Sequence, residues 1–115
     1  VEFENRIDSS KLWSFKKSEE VAIYRICLEV LNNLQKHDQF TFLKVMAFTD
    51  EKNLVFSFDH NGTGITNREI EVLTESSHGL GLKSLQSRML ILRGTIDYTK
   101  MDKSAKIIVN VPLNQ

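Results

Sequence analysis

Two glycine-dense turns and one polar helical stripe carry the residue types and spacings that could do chemistry. Asn61-Gly62-Thr63-Gly64 and His78-Gly79-Leu80-Gly81-Leu82-Lys83 each precede a segment able to start a helix. Such turns present unpaired backbone N–H groups to phosphate oxygens. In the second, the N–H groups of residues 81–83 would point at an anion, and Lys83 adds positive charge at the same end. Upstream, Glu29, Asn33 and His37 recur at every fourth position, with Arg25 one turn earlier and Lys36 beside His37. On a helix that spacing lines them along one side. An Asn amide oxygen can ligate Mg²⁺ when phosphates supply the rest of its coordination, a lysine offsets phosphate charge, and a glutamate can orient or deprotonate an attacking group. Taken singly, each feature is ordinary: a solvated helix face, or a common Asn-Gly or Gly-x-Gly turn. Together they read as a nucleotide site with a metal ligand, suited to triphosphate chemistry.

These residues need a scaffold, and hydrophobic periodicity supplies one. Residues 1–7 read as an edge strand, and Leu12, Trp13 and Phe15 as packing anchors in a polar stretch. Ser18 followed by Glu19 and Glu20 reads as a helix start, because the helix dipole favours acids in its first turn. From there Tyr24, Cys27, Leu28, Leu31 and Leu34 define an apolar face running to about His37, with the polar stripe directed away from it. Residues 40–48 and 54–58 read as strands joined by a turn at residues 50–53; alternation puts His60 on the face of Leu54, Phe56 and Phe58. Thr66 and Glu69 have the spacing of a capping box, with a short helix through Leu73. Leu82, Leu85, Met89 and Leu92 mark a second firm helix ending near Gly94, and residues 95–99 and 106–111 a closing hairpin stopped by Pro112.

Composition narrows the class. A chain of 115 residues is one domain, with no repeat or linker visible. Fifteen basic and fifteen acidic residues cancel, which leaves no electrostatic footprint for nucleic acid or an anionic membrane. Cys27 has no second cysteine to pair with and suits a reducing compartment. No apolar run reaches the roughly 20 residues of a membrane-spanning helix. The chain starts at Val1 rather than Met and reads as a piece of something longer.

The ordered motifs resemble the ATP-binding domain of the GHKL superfamily, which includes sensor histidine kinases, DNA gyrase B, the Hsp90 chaperones and MutL. The likeness is strongest to the catalytic and ATP-binding domain of bacterial sensor histidine kinases. Residues 25–37 are similar to the family's N box, with Asn33 in the magnesium-binding place and Glu29 in that of the family's acid. Asn61-Gly62-Thr63-Gly64 resembles the end of the first glycine box, and Gly79-Leu80-Gly81-Leu82, with Arg88 and Gly94 behind it, the second. Val111-Pro112-Leu113 resembles the closing strand, so the likeness runs over nearly the whole chain.

The resemblance implies an α/β two-layer sandwich of the Bergerat (GHKL) type: a mixed, largely antiparallel sheet with helices on one face. It implies ATP and Mg²⁺ bound between the long helix and a short lid at residues 65–78. Glu29 would be catalytic and Asn33 the metal ligand; Lys36, His37, His60, Asn61, Gly62, Gly64, Gly79, Leu80, Gly81, Leu82 and Lys83 would complete the nucleotide site. One residue departs from the pattern. The family has an Asp that accepts a hydrogen bond from the adenine amino group where this chain has His60, and neutral His60 is expected to accept through an unprotonated ring nitrogen. The implied function is transfer of the ATP γ-phosphoryl group to a histidine on a dimerising helical hairpin that this chain does not carry, and then to a response regulator. The chain would thus be the ATP half of a sensor, cytoplasmic and quite consistent with a membrane-anchored bacterial protein. Two other classes fit the motifs: an anti-sigma-factor-type serine kinase, and a degenerate GHKL domain kept for protein contacts, which His60 favours.

Overall fold

Every second side chain from Leu54 to Phe58 is apolar, and that one-sided strand is the centre around which the sheet is built. The computed structural model describes residues 1–12, 14–37, 40–62, 64, 66, 68–69 and 82–113, without the side chains of Lys36, His37 and Leu82. The elements run β1 (Glu2–Arg6), a 3-10 turn (Ser9–Lys11), α1 (Lys17–His37), β2 (Leu43–Thr49), β3 (Asn53–His60), α2 (Leu82–Leu92), β4 (Thr95–Lys100) and β5 (Ala105–Pro112). Among the described residues the strands form a five-stranded sheet in the order β1-β2-β3-β5-β4. β1 is parallel to β2 and every other pairing is antiparallel. This is the expected α/β sandwich with a mixed, largely antiparallel sheet.

Register decides what shares a face. Leu43, His60 and Ala105 lie in one cross-strand row, and Val45, Phe58, Ile107 and Tyr98 in another. These rows face the helices, and Leu43, Val45, Phe58, Ile107 and Tyr98 from them join one buried cluster with Ile26, Val30 and Leu34 of α1 and Leu85, Met89 and Leu92 of α2. His60 therefore does share the face of Leu54, Phe56 and Phe58.

The long helix is rotated relative to the expectation. Its buried row is Ala22, Ile26, Val30 and Leu34, whereas Tyr24 is 66% exposed and Leu28 43% exposed. Cys27 and Leu31 are half-buried at the margin. Two apolar stripes satisfy a 3.6-residue period on this helix, and the sheet takes the one with the smaller and β-branched side chains. Its start also lies two residues earlier: Glu19 accepts from the Lys16 N–H at 2.9 Å, so Lys16 takes the capping place and Ser18 is exposed in the first turn.

The turns follow their local chemistry. Asp50 accepts from the backbone N–H groups of Lys52 (2.8 Å) and Asn53 (2.7 Å), closing the β2–β3 hairpin. Phe15 is buried and Leu12 packs beside it; Trp13 lies outside the described residues. α2 ends in a Schellman arrangement, with Gly94 N–H donating to Met89 O and Arg93 N–H to Leu90 O. The left-handed position is Arg93 (φ 56°), not the glycine. Gly94 is required for another reason: a Cβ there would strike the Asn110 carbonyl oxygen of β5 and the Met89 methyl group.

Candidate functional site

The rotation of α1 changes the meaning of its polar stripe. Residues four apart drift by about 40° around a helix of 3.6 residues per turn. The row Arg25, Glu29, Asn33, His37 therefore winds from the flank of the helix towards the sheet, and Asn33 sits within about 20° of the buried Ile26 direction. Burial follows this drift: Arg25 is exposed, while Glu29 and Asn33 are half-buried. The stripe does point away from Tyr24 and Leu28. Since those face solvent, that direction is inward. Among the described residues no hydrogen bond or ion pair engages the Glu29 or Asn33 side chain. Lys36 and His37 end the helix, and their side chains lie outside the described residues.

The end of β3 forms the second part. His60 is 2% exposed, the one buried polar side chain among the described residues. Its Nδ1 accepts from the Gly62 N–H at 3.1 Å, and the Phe40 ring meets its edge with centroids 6.2 Å apart. The Gly62 N–H therefore engages one of the two ring nitrogens through which His60 is expected to accept. Asn61 turns the other way. Its Oδ1 accepts from the N–H groups of Thr41 and Phe42, both at 3.0 Å, and its Nδ2 donates to Thr41 Oγ1 at 2.8 Å. That clasp takes the N–H groups a strand ladder would have used, which is why β2 starts at Leu43 and not at Phe40.

Gly64 has φ +72°, and a Cβ there would fall on the Ala105 methyl group. The first glycine turn thus crosses the helix-facing side of β5 at van der Waals contact, which only glycine allows. Beyond it the capping box forms as expected: Glu69 N–H donates to Thr66 Oγ1 at 3.2 Å, and Glu69 Oε1 accepts from Thr66 N–H at 3.3 Å. The Thr66 hydroxyl holds the Glu69 carboxyl below its ordinary range. Lys100 Nζ lies 3.4 Å from Glu69, tying this segment to β4. Lys100 went unnoticed in the sequence because its partner lies 31 residues away.

Gly79, Leu80 and Gly81 of the second glycine turn, His78 and the rest of residues 70–81 lie outside the described residues, as do Thr63, Ile65 and Asn67. The helix expected after Gly81 starts at Leu82, with Lys83 exposed in a first turn that carries no acid. Its N-terminal N–H groups and the lysine leave that end electropositive. α1 and α2 pack against each other, so the polar stripe and this helix belong to one layer. Burial raises the Cys27 thiol to about 12, which removes it as a nucleophile. Among the described residues no group of three or more His, Cys, Asp or Glu side chains is arranged to hold a metal by itself.

The chain and its fold have counterparts among known proteins. Residues 18–115 match the family described as histidine kinase-, DNA gyrase B-, and HSP90-like ATPase. The chain belongs to this family. Among curated members, this ATPase domain is 27% identical over 110 residues to the sensor histidine kinase MctS of Rhizobium johnstonii, covering 95% of the chain and 23% of that protein. It is 29% identical over 93 residues to the histidine-protein kinase/phosphatase UhpB of Salmonella typhimurium, covering 79% of the chain and 16% of UhpB. It is also 28% identical over 97 residues to the sensor histidine kinase ComP of Bacillus subtilis, covering 84% of the chain and 12% of ComP. The chain thus spans a quarter or less of these relatives. Its fold is shared with the histidine kinase AdeS of Acinetobacter baumannii (TM-score 0.70, 20% identity, 83% of this chain and 47% of that one). It is shared too with the ATP-binding domain of PrrB from Mycobacterium tuberculosis (TM-score 0.66, 20% identity, 83% of this chain and 69% of that one).

Proposed function

We propose that this ATPase-family domain binds ATP with Mg²⁺ and donates the γ-phosphoryl group to a histidine on a separate dimerisation domain of the same protein. The observation that carries the reading is the inward-turned pair Glu29 and Asn33, half-buried and unengaged by other described side chains. Half-buried polar side chains that no protein group engages are open to solvent and to a ligand. The donor set fits a phosphate-bound Mg²⁺, which needs only one or two protein oxygens; the Asn33 amide oxygen would be one of them. When bound, the ion would neutralise charge on the phosphates.

In this reading Glu29 would orient the incoming imidazole and take its proton as the nitrogen–phosphorus bond forms and the bond from the γ-phosphorus to the bridging oxygen breaks, releasing ADP. Lys36, His37, Lys83 and the N–H groups of Gly79, Leu80, Gly81 and Leu82 hold the phosphates, and His60, Asn61, Gly62 and Gly64 shape the base end. A response regulator then accepts the phosphoryl group from the histidine. The curated relatives are sensor kinases, which favours histidine over serine as acceptor. Among the described residues no helix is long and apolar enough to cross a membrane. We place this domain on the cytoplasmic side of an anchored sensor.

Asn33→Ala tests the assignment. The substitution is expected to lower Mg²⁺-dependent phosphoryl transfer in the full-length protein at least about 100-fold, while costing under about 1 kcal/mol of stability. Transfer at the wild-type rate by a folded Asn33→Ala protein refutes the role of Asn33.

A further inference from the structure

We propose that Lys100 is a positioning residue for nucleotide binding: through Glu69 it holds the segment after the first glycine turn on the β4–β5 hairpin. The proposal rests on the nucleotide-binding reading above and deepens it by naming what fixes one wall of that site. Its basis is that Gly64 and Glu69 come to rest on one cross-strand pair. Lys100 at the end of β4 lies opposite Ala105 at the start of β5. Beyond them the Met101 N–H donates to Ser104 O at 2.8 Å and closes the hairpin. Gly64 rests on Ala105, which is 2% exposed, and a Cβ on Gly64 would stand 3.7 Å from Lys100 Cγ. Further on, Glu69 Oε1 accepts from the Thr66 hydroxyl at 3.1 Å, the Thr66 N–H at 3.3 Å and Lys100 Nζ at 3.4 Å. The chain leaving the glycine turn is thus held at both ends of one short span.

The exposure of the ion pair decides what it can do. The Lys100 and Glu69 side chains are 35% and 49% exposed, so water screens their attraction and the pair adds little to folding. What it restricts is the course of the backbone between Gly64 and Glu69. A turn already held in its binding geometry need not be ordered by the ligand, and that ordering would otherwise be subtracted from affinity. The same hairpin supplies a control. Lys106 follows Ala105, so alternation turns it to the other face of the sheet, where its ammonium lies 3.7 Å from Asp59. It carries the same charge as Lys100 on the face opposite the glycine segment.

The test is a double-mutant cycle read by calorimetric titration of ADP into the whole 115-residue chain. Lys100→Met is expected to weaken ADP binding about 3- to 5-fold with little change in the unfolding midpoint. Glu69→Ala should weaken it at least as much, because it also removes the bonds to Thr66. In the Glu69→Ala background, Lys100→Met should cost nothing further, since its contact is already gone. Lys100→Arg, which can still reach the carboxylate, should restore most of the affinity, and Lys106→Met should leave it at the wild-type value. Weakening by Lys100→Met with Glu69→Ala at wild-type affinity overturns the proposal, because the lysine then meets the phosphates directly. Losses that multiply in the double variant overturn it too, as does wild-type affinity in Lys100→Met. Failure of the wild type itself to bind ADP removes the nucleotide reading and this proposal with it.

Discussion

At the turn after β3, one asparagine side chain satisfies three groups from a loop about 20 residues earlier in the chain. Asn61 is therefore the clasp that joins the α1–β2 connection to the first glycine turn, and its neighbour His60 is locked by the same turn through Gly62. The two act at different ends of one junction: Asn61 holds the exposed side, His60 the buried one. Asn61→Ala is expected to destabilise the domain by about 1–2 kcal/mol, and Asn61→Asp by less, because a carboxylate keeps both bonds to the Thr41 and Phe42 N–H groups. Urea unfolding of the two variants beside wild type checks the order. Equal stability of Asn61→Ala and wild type would show that the clasp is not formed in solution.

Among the elements, α2 shows a division of labour at its C-terminus. The Schellman turn needs a left-handed residue and a close approach to β5, and glycine stands at the second of these. A glycine at the left-handed place would relax Arg93, whereas any side chain at the close approach must push against the Asn110 carbonyl. Arg93→Gly is expected to stabilise the domain by about 0.5–1 kcal/mol, and Gly94→Ala to destabilise it by about 1–3 kcal/mol. Thermal melts should separate the two in opposite directions. If both substitutions lower the midpoint alike, the left-handed position does not carry the strain assigned to it.

For the whole molecule, the decisive relation is the angle at which α1 lies on the sheet. That angle buries Ile26 completely, sends Tyr24 out to solvent, and carries Glu29 and Asn33 inward. Ile26→Ala is expected to cost about 2–5 kcal/mol, because it leaves a cavity between helix and sheet. Tyr24→Ala should stay within about 0.5 kcal/mol of wild type, since it removes a side chain that is mostly hydrated. Chemical denaturation that ranks Tyr24→Ala as the more damaging substitution would reverse the helix orientation and with it the inward placement of Asn33.

Much of this architecture was legible because it is written at short range. Alternation over residues 54–60, the Thr66/Glu69 spacing, the Asp50 turn and the apolar spacing of Leu85, Met89 and Leu92 each lie within a few residues, where backbone geometry alone relates side chains. The resemblance carried by the three ordered motifs implied the ATPase fold. What remained hidden depends on partners distant in sequence. A helix with two apolar stripes does not reveal which one a sheet will cover. Nor does the chain show that Asn61 reaches Thr41, that Gly64 rests on Ala105, or that Gly94 meets Asn110. His60 is the sharpest case: its type and its face of the strand follow from the sequence, but which nitrogen accepts depends on where the turn carries the Gly62 N–H. Local spacing sets what each element is, and close packing between distant segments sets which way its side chains point.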